Sequence, residues 1–362
     1  CVQLENGNWQ TSDERELSAN RETFRIGDPS YQQLSFVANS EFELNNGQLY
    51  GFLTYSQREN QSAAFFRHNA NANENPLLAD NQATIPQGYL PKIDSDIQDI
   101  SYNLGYKISF DNETALDISY TYGKNEIDYT TSESLNASYA NYLLHTTDLS
   151  SDELRENLPR SSSAYGLSLS LETVNLLFSK DYENYSIVLG AEFRHDKYKI
   201  IPGEPYSYLD YDTENSRPLF ENDAAGGIQG FPGVSLDLAV NEGRNVVSFF
   251  ADSITQVNDF IKLSAAIRYD DYDVLGNSSN IKVAAHGKIT DSFIIRGAYS
   301  TGFRAPSMQQ MYFNNVSTQF IVDESGALLS EEVETFRNDS TLTTRLGVPS
   351  LKEEESDNIS IG

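Results

Sequence analysis

The sequence predicts an all-β protein: a transmembrane antiparallel β-barrel, of which this chain forms about 10–11 strands, with long extracellular loops. Three observations support this prediction. Apolar residues alternate with polar ones in many segments, tight turns alternate with long connections, and aromatic residues make up 12% of the 362 residues. No run of about 18 apolar residues is present, so a transmembrane helix is excluded, whereas alternating strands can still cross a bilayer.

The alternation is clearest between residues 100 and 110, where every second residue is apolar or aromatic. That face reads Ile100, Tyr102, Leu104, Tyr106, Ile108 and Phe110. Such segments run for roughly 10 residues, the length that a tilted strand needs to cross a bilayer. Strands are expected at 32–44, 48–58, 98–110, 114–129, 168–180, 184–200, 245–257, 259–270, 279–289 and 292–301, with the start of another after 356.

The connections between these strands alternate between short and long. Short polar turns are expected at 45–47, 111–113, 181–183, 258 and 290–291, and longer connections at 59–97, 131–167, 201–244, 271–278 and 302–356. In an outer-membrane barrel, the turns lie on one rim and the long loops on the other. A secreted β-sandwich or a β-propeller is the alternative, but neither explains why all the long connections lie at one end.

Charge and cysteine content exclude several classes of protein. The chain has 25 Lys and Arg against 53 Asp and Glu, a net charge of −28, which argues against binding to nucleic acid. The single cysteine, Cys1, excludes a disulfide framework and a cysteine-based zinc site. Residues 1–7 have neither the basic nor the apolar region of a signal peptide. Cys1 is either the lipid-bearing residue of a processed lipoprotein or the first residue of a fragment, and the second reading is simpler.

Tyrosines and basic residues fit the two environments of a barrel wall. Rings are expected at the membrane interfaces, where an apolar body and a polar tip are both accommodated. The tyrosines near the long-loop ends of strands are Tyr55, Tyr122, Tyr129, Tyr198 and Tyr269. Basic residues within the strands occupy the polar register, which would face the lumen: Lys107, Lys262, Arg268, Lys282 and Arg296.

The segment 299–307 reads Tyr-Ser-Thr-Gly-Phe-Arg-Ala-Pro-Ser and resembles the barrel motif of TonB-dependent outer-membrane receptors. The centre of this motif is Gly302, Phe303, Arg304, Ala305 and Pro306. Residues 268–276 resemble the strand end that precedes the motif in that family. Residues 351–358 are similar to the family's Leu-Lys-Pro-Glu-x-Ser-x-Asn segment, with Glu353 in place of the proline.

This resemblance implies an outer-membrane receptor of a Gram-negative bacterium that takes up a large, scarce nutrient. Members have a barrel of about 22 strands plugged by an N-terminal domain, and a TonB box links them to the TonB–ExbB–ExbD complex. Residues 1–362 would be part of one barrel domain, without plug, signal peptide or TonB box. A ferric siderophore, cobalamin or an oligosaccharide are the cargo classes, and membrane lipid and lipopolysaccharide are further partners. A passive porin-like barrel and a barrel-displayed surface enzyme or adhesin are the alternatives.

Aromatic residues in the long loops are the candidate contacts to the nutrient, because rings can stack on sugars or planar ligands. They are Tyr206, Tyr208, Tyr211, Phe220, Phe231, Tyr312 and Phe313. The alternative is that these rings pack the loops together. Arg304 is the candidate contact to a plug domain, with a salt bridge inside the barrel as its alternative. Acidic loop residues such as Asp152 and Glu153 would weakly disfavour an anionic cargo.

The sequence contains no candidate catalytic residue, cofactor site or metal site. The four histidines lack an HExxH pair or a Ser/His/Asp motif. Asp270, Asp271, Asp273 and Asn277 superficially suggest a calcium loop, but Lys282 stands where an EF-hand loop needs its bidentate Glu.

Overall fold

A computed structural model describes residues 2–3, 9–10, 27–110, 112–215, 217–290, 292–322 and 328–362. In these residues, eleven strands form one antiparallel sheet. Three short hairpins lie outside it: β1 (Val2–Gln3) with β2 (Trp9–Gln10), β9 (Thr213–Glu214) with β10 (Arg217–Pro218), and β15 (Asn315–Val322) with β16 (Leu328–Thr335). The strands of the sheet are β3 (Gly27–Leu44), β4 (Gly47–Ala63), β5 (Lys92–Phe110), β6 (Thr114–Ser132), β7 (Ser162–Asp181), β8 (Tyr185–Pro202), β11 (Val240–Asn258), β12 (Ile261–Tyr272), β13 (Gly276–Thr290), β14 (Phe293–Arg304) and β17 (Glu354–Ile361).

The strands of the sheet pair in chain order, from β3 at one edge to β17 at the other. Each strand is antiparallel to its neighbours, as a meander of hairpins requires. The two edge strands do not pair with each other in the described residues, so the sheet is an open part of a barrel wall. The predicted all-β barrel architecture and its number of strands are confirmed.

Many strands are longer than predicted, and most of the extra length lies at the long-loop end. The strand expected at 98–110 begins at Lys92, and the one expected at 168–180 begins at Ser162. These strands reach 19 and 20 residues, about twice what a bilayer crossing needs. Above the bilayer neither face has to be apolar, so the alternation used to place the strand ends is lost there.

The predicted alternation of short and long connections is correct except at one position. Two residues join β3 to β4, whereas residues 64–91, 133–161, 203–239 and 305–353 form long connections. The connection expected at 271–278 is wrong, because only residues 273–275 separate β12 from β13. Gly276 has a φ of +90°, a conformation that glycine adopts readily, and so allows this tight return.

The long connections carry helices and a 3-10 turn at Leu236–Leu238. The helices are α1 (Ala137–Thr146), α2 (Ser151–Asn157), α3 (Pro205–Tyr208), α4 (Met308–Tyr312) and α5 (Thr341–Arg345). Asn136 caps α1, and Ser150 with Glu153 forms a capping box on α2. Among the described residues, no helix combines the length and the apolar character needed to cross a membrane.

The two faces of the sheet differ as the sequence predicts. The register joins Lys107 and Arg268 through one continuous row of paired residues, so both lie on the same face, here called the inner face. Lys262, Lys282 and Arg296 share it. The opposite, outer face exposes apolar side chains such as Phe249 and Ile267, as a lipid-facing wall requires.

The largest buried cluster lies on the inner face at the long-loop end of the sheet. Its members include Tyr198, Ile200, Val234, Val240 and Met308, with Tyr129 packed against them. Tyr129 and Tyr198 were expected at a membrane interface. That expectation is wrong, because Tyr129 packs against Phe231 of connection 203–239 and Tyr198 is buried in the inner-face cluster with Met308. The predicted turn residues Asp111 and Asp291, and Cys1, lie outside the described residues.

Candidate functional site

The connections 64–91, 133–161 and 203–239 fold together into one body, called the loop cap below. The Ala225 N–H donates to the carbonyl of Asn73 over 2.8 Å, and the Gln229 N–H donates to the carbonyl of Leu135 over 2.9 Å. A buried cluster of Tyr89, Leu135, Ala140 and Leu158 packs between the first two connections. The cap is therefore a single packed unit at the long-loop end of the sheet.

Ion pairs of Arg155 and of Arg67 stabilise the cap. Arg155 Nη1 lies 2.8 Å from Asp80 Oδ2 and joins the first two connections. The hydrogen bond from Arg155 holds the pKa of Asp80 below its usual value. Within the first connection, Arg67 Nε lies 3.1 Å from Glu74 Oε1, and both side chains are buried. Burial raises the pKa of Glu74, although the charge of Arg67 opposes that shift.

Asn136 and Tyr206 form the main polar junction of the cap. Asn136 is fully buried, and its Nδ2 donates to the carbonyls of Tyr206 and Leu209, each over 2.9 Å. The Tyr206 hydroxyl donates to the Pro159 carbonyl over 2.8 Å and accepts from the Asn136 N–H over 3.1 Å. Burial raises the pKa of Tyr206 to about 12. Tyr206 therefore connects two loops through its hydroxyl.

Three other rings predicted as nutrient contacts pack against neighbouring rings. Tyr211 lies on Tyr139 of α1, with ring centroids 4.7 Å apart. Phe220 stacks on His145 at 4.3 Å. Phe231 lies between Tyr129 and Tyr165, at 5.1 and 5.4 Å. These contacts hold connection 203–239 to α1 and to the sheet.

Tyr312 and Phe313 lie at the end of α4. Tyr312 is buried in the inner-face cluster, and the Arg337 guanidinium lies 4.9 Å from the centre of its ring. Phe313 packs against the same cluster and is partly buried. The structure thus brings these two residues to the inner face of the sheet, beside Phe231.

Tyr208 differs from the other predicted contacts because it lines a cleft. The cleft has a volume of about 190 Å³ and lies between the cap and the start of β15 at Val316. Three glycines form much of its wall: Gly226, Gly227 and Gly233. Of the seven predicted rings, Tyr208 is the one that lines this cleft.

Asp212 is a buried carboxylate that joins connection 203–239 of the cap to α1. Its Oδ2 accepts from Asn141 Nδ2 over 2.7 Å and from the Ala224 N–H over 2.9 Å. Its Oδ1 has no hydrogen-bond partner. Burial disfavours the ionised form and raises the pKa of Asp212 to about 6.

The motif at 299–307 ends β14 and turns the chain onto the inner face. The Pro306 carbonyl accepts from Arg244 Nη1 over 2.8 Å. Ser307 is the N-cap residue of α4, since its hydroxyl accepts from the Gln310 N–H over 3.1 Å. Met308, the first residue of α4, is buried in the inner-face cluster. Arg304 has an exposed side chain and lies opposite Glu354 in the register; its contact with a plug domain stays a prediction.

Below the motif lies a group of ion pairs, called the paired cluster: Glu192, Arg194, Asp196, Arg244, Arg268 and Asp270. Asp196 Oδ2 accepts from Arg244 Nη2 over 2.6 Å, and Asp196 Oδ1 lies 3.2 Å from Arg194 Nε. Both Asp196 and Arg244 are only 5% exposed. The Tyr272 ring lies 5.4 Å from the Arg244 guanidinium. The sequence singled out only Arg268, as a lumen-facing cation, and Asp270, in the calcium-like run; the pairing itself follows from strand register.

Arg268 links the two carboxylates of the paired cluster that lie nearest to it. Its Nη2 donates to Glu192 over 2.9 Å, and its Nε donates to Asp270 over 2.9 Å. Asp270 is 1% exposed and also accepts from the Ser248 hydroxyl over 2.6 Å. Each cation of the paired cluster therefore has a carboxylate partner.

The histidines and the acidic residues of 270–277 were considered above as possible metal ligands. In the part of the chain that the structure describes, no group of three His, Cys, Asp or Glu residues is placed to bind a metal ion. His195 contacts Asn245 Oδ1 over 2.8 Å. Asp273 accepts from the side chain of Asn245 over 2.8 Å.

An open antiparallel wall with a lipid-facing side, a charged inner side and packed loops at one end defines a transmembrane β-barrel. Residues 8–362 match the family described as TonB dependent receptor-like, beta-barrel, and the chain belongs to this family. Its members are outer-membrane β-barrels of Gram-negative bacteria. A comparison with curated proteins gives no match.

Solved structures support the same fold. The siderophore receptor PirA from Acinetobacter baumannii is 16% identical over 93% of this chain, with a TM-score of 0.50. The RagAB peptide transporter is 9% identical over 91% of this chain, with a TM-score of 0.51. The chain spans 41% and 38% of the lengths of these two proteins. At such low identity, the similarity shows the fold alone.

Proposed function

We propose that this chain is part of the barrel of an outer-membrane receptor that takes up a scarce nutrient with energy from TonB. Family membership over residues 8–362 is the observation that carries this proposal. The packed loop cap supports it, because a receptor needs a stable surface at the loop end of the barrel. Residues 1–362 would lie within one barrel domain, and transport would require no covalent chemistry and no cofactor.

The partners in this proposal are the TonB–ExbB–ExbD complex, the surrounding lipid and lipopolysaccharide, and the nutrient. Ferric siderophores, cobalamin and oligosaccharides are the cargo classes. Tyr208 is the leading cargo contact, since it lines the open cleft beside the cap. The other six predicted rings would act by holding the cap in shape. Arg304, exposed at the end of β14, would contact the plug.

The test compares uptake by the full-length receptor in cells with and without TonB. The probes are radiolabelled ferric siderophores, cyanocobalamin and maltooligosaccharides. Accumulation of one probe is expected to require both the receptor and TonB. Accumulation that persists without TonB would instead establish a passive barrel.

A matched pair of variants tests the cleft. Tyr208→Ala should weaken binding of the accumulated probe to whole cells at least several-fold. Tyr182→Ala is the control, because Tyr182 stacks on Tyr185 in a turn at the opposite end of the sheet. Equal binding by both variants would remove Tyr208 from the site.

A further inference from the structure

Three basic side chains line a shallow cleft on the inner face of β12, β13 and β14, and a fourth lies one row beyond its floor. We propose that this cleft is an oxyanion site, which binds a carboxylate or phosphate group inside the barrel. The site lies apart from the loop cap and goes beyond the proposed uptake of a nutrient. Lys262, His286 and Arg296 belong to its lining, and Lys282 is the basic residue beyond the floor.

Three of these residues form one row across the sheet. Lys262 pairs with His286 on the next strand, and His286 pairs with Arg296 on the strand after that. Directly paired residues in an antiparallel sheet have Cβ atoms about 4.5–5.5 Å apart and share one face. The register therefore places three basic groups side by side, and all three side chains are exposed.

No carboxylate neutralises this row in the part of the chain that the structure describes. None of the four basic residues forms an ion pair there, in contrast to the cations of the paired cluster. Asp252 shares the cross-sheet row of Lys282, but Ala266 separates them. Lys262 and Arg296 flank His286 in the row, so two like charges lie two strand spacings apart, about 10 Å. Like charges at this distance repel each other, and an anion bound between them removes that cost.

The cleft next to the row provides room for such an anion. Its volume is about 270 Å³. The adjacent row of the sheet forms its floor with small residues, Ser264, Ala284 and Ala298. Lys282 lies one row further, on the far side of that floor. Basic groups thus border a low floor from both sides.

The lining also supplies hydroxyl donors. Ser264 and Ser360 both line the cleft, and a serine hydroxyl can donate to an oxyanion while a cation supplies the opposite charge. Carboxylates and phosphates accept such charge-assisted hydrogen bonds more strongly than neutral groups do. This set of donors favours an oxyanion over a neutral or cationic ligand.

Inorganic phosphate and citrate are the probes for the test, and isothermal calorimetry on the full-length receptor in detergent at low ionic strength is the measurement. The variant is Lys262→Gln/Arg296→Gln. The control, Arg345→Gln/Lys352→Gln, removes the same charge from exposed loop residues. If the site is open to solutes, the first variant should weaken probe binding at least tenfold, and the control should stay within twofold. Heat-dependent mobility on a gel checks that each variant is folded.

Salt dependence identifies the source of the oxyanion. In a receptor whose site is empty, added sodium chloride screens the repulsion and raises the midpoint of thermal unfolding. If acidic side chains of a polypeptide in the lumen already fill the site, phosphate does not bind, and salt lowers that midpoint. Both effects should disappear in Lys262→Gln/Arg296→Gln, and Lys282→Gln should reduce them. The proposal is overturned if neutralising the row changes neither probe binding nor salt dependence.

Discussion

Two groups of charged residues on the inner face of the same sheet behave in opposite ways. In the paired cluster, near the loop end, each arginine has a carboxylate partner, and Asp196 and Arg244 are sealed under the turn at Pro306. Across β12 to β14, towards the turn end, Lys262, His286 and Arg296 are exposed and have no such partners in the residues that the structure describes. Arg268 lies six positions along β12 from Lys262, or about 20 Å.

The difference shows how burial and charge pairing depend on each other in this wall. A buried ion must find its partner within the fold, because removing a charge from water costs several kcal/mol. An exposed ion stays hydrated, so it needs no partner within the fold and can bind one from solution. The paired cluster is thus a structural feature, whereas the basic row is available for binding.

The largest expected effect comes from removing the carboxylate at the centre of the paired cluster. Asp196→Ala leaves Arg194 and Arg244 side by side without their shared partner. The free energy of unfolding should fall by about 3–5 kcal/mol. Denaturant unfolding of the full-length receptor in detergent measures this change.

The double variant Asp196→Leu/Arg244→Leu is the control for that experiment. It removes the buried pair together and fills the space with apolar groups, so it should be less destabilising than Asp196→Ala. A loss below about 1 kcal/mol for Asp196→Ala would contradict the assigned role of the cluster.

Asp212 is a third case, a buried carboxylate without a cation among its hydrogen-bond partners. Its pKa is raised from 3.8 to about 6 in the folded cap. A raised carboxyl pKa means that protonation favours the folded state. Cap stability should therefore be highest at low pH, fall as the pH rises from about 4 to about 6, and then level off, with a total change of up to about 3 kcal/mol.

Amide hydrogen exchange of α1 and α3 at pH 5 and pH 7.5, corrected for intrinsic rates, measures this dependence. Exchange should be faster at the higher pH. Asp212→Asn keeps an acceptor for Asn141 and should remove most of the difference. Equal protection of the wild-type cap at both pH values would exclude a role for Asp212.

The smallest expected effect concerns α4, which follows the turn at Pro306 that covers the paired cluster. Ser307→Ala removes the N-cap of α4 and should cost about 1 kcal/mol, with faster hydrogen exchange in residues 308–313. Ser340→Ala is the matched control, because Ser340 caps α5 through the same type of bond to the Thr343 N–H. That control should leave exchange in α4 unchanged, and a change there would show that the effect is not local.

Strand positions could be predicted because alternation within the bilayer follows directly from the two environments of the wall. The ends could not, since residues such as Lys92 and Ser162 extend the strands above the bilayer, where alternation is not required. The helices α1 and α2 were not predicted, because residues 131–167 were interpreted as a connection, although Asn136, Ser150 and Glu153 are residue types that cap helices. The short connection at 273–275 depends on the conformation of Gly276.

The candidate site was harder to predict than the fold. The inner-face position of Lys262 and Arg296 follows from alternation alone, but their placement in one row with His286 requires the register of two hairpins. The pairing of Asp196 with Arg244, 48 residues apart, likewise needs the register of β8 and β11. A ring in a loop, such as Tyr206 or Tyr208, can pack or bind, and only the fold of the loop decides between the two.

The fused loop cap has a consequence for recognition from outside the cell. Its surface is assembled from the three connections 64–91, 133–161 and 203–239, joined by backbone bonds such as that from Ala225 to Asn73. An antibody selected on the folded receptor would therefore bind a discontinuous epitope. A linear peptide from any one connection would reproduce only part of it. For the same reason, an inserted tag would be tolerated better in the turns at the opposite end of the sheet than in any of these three segments.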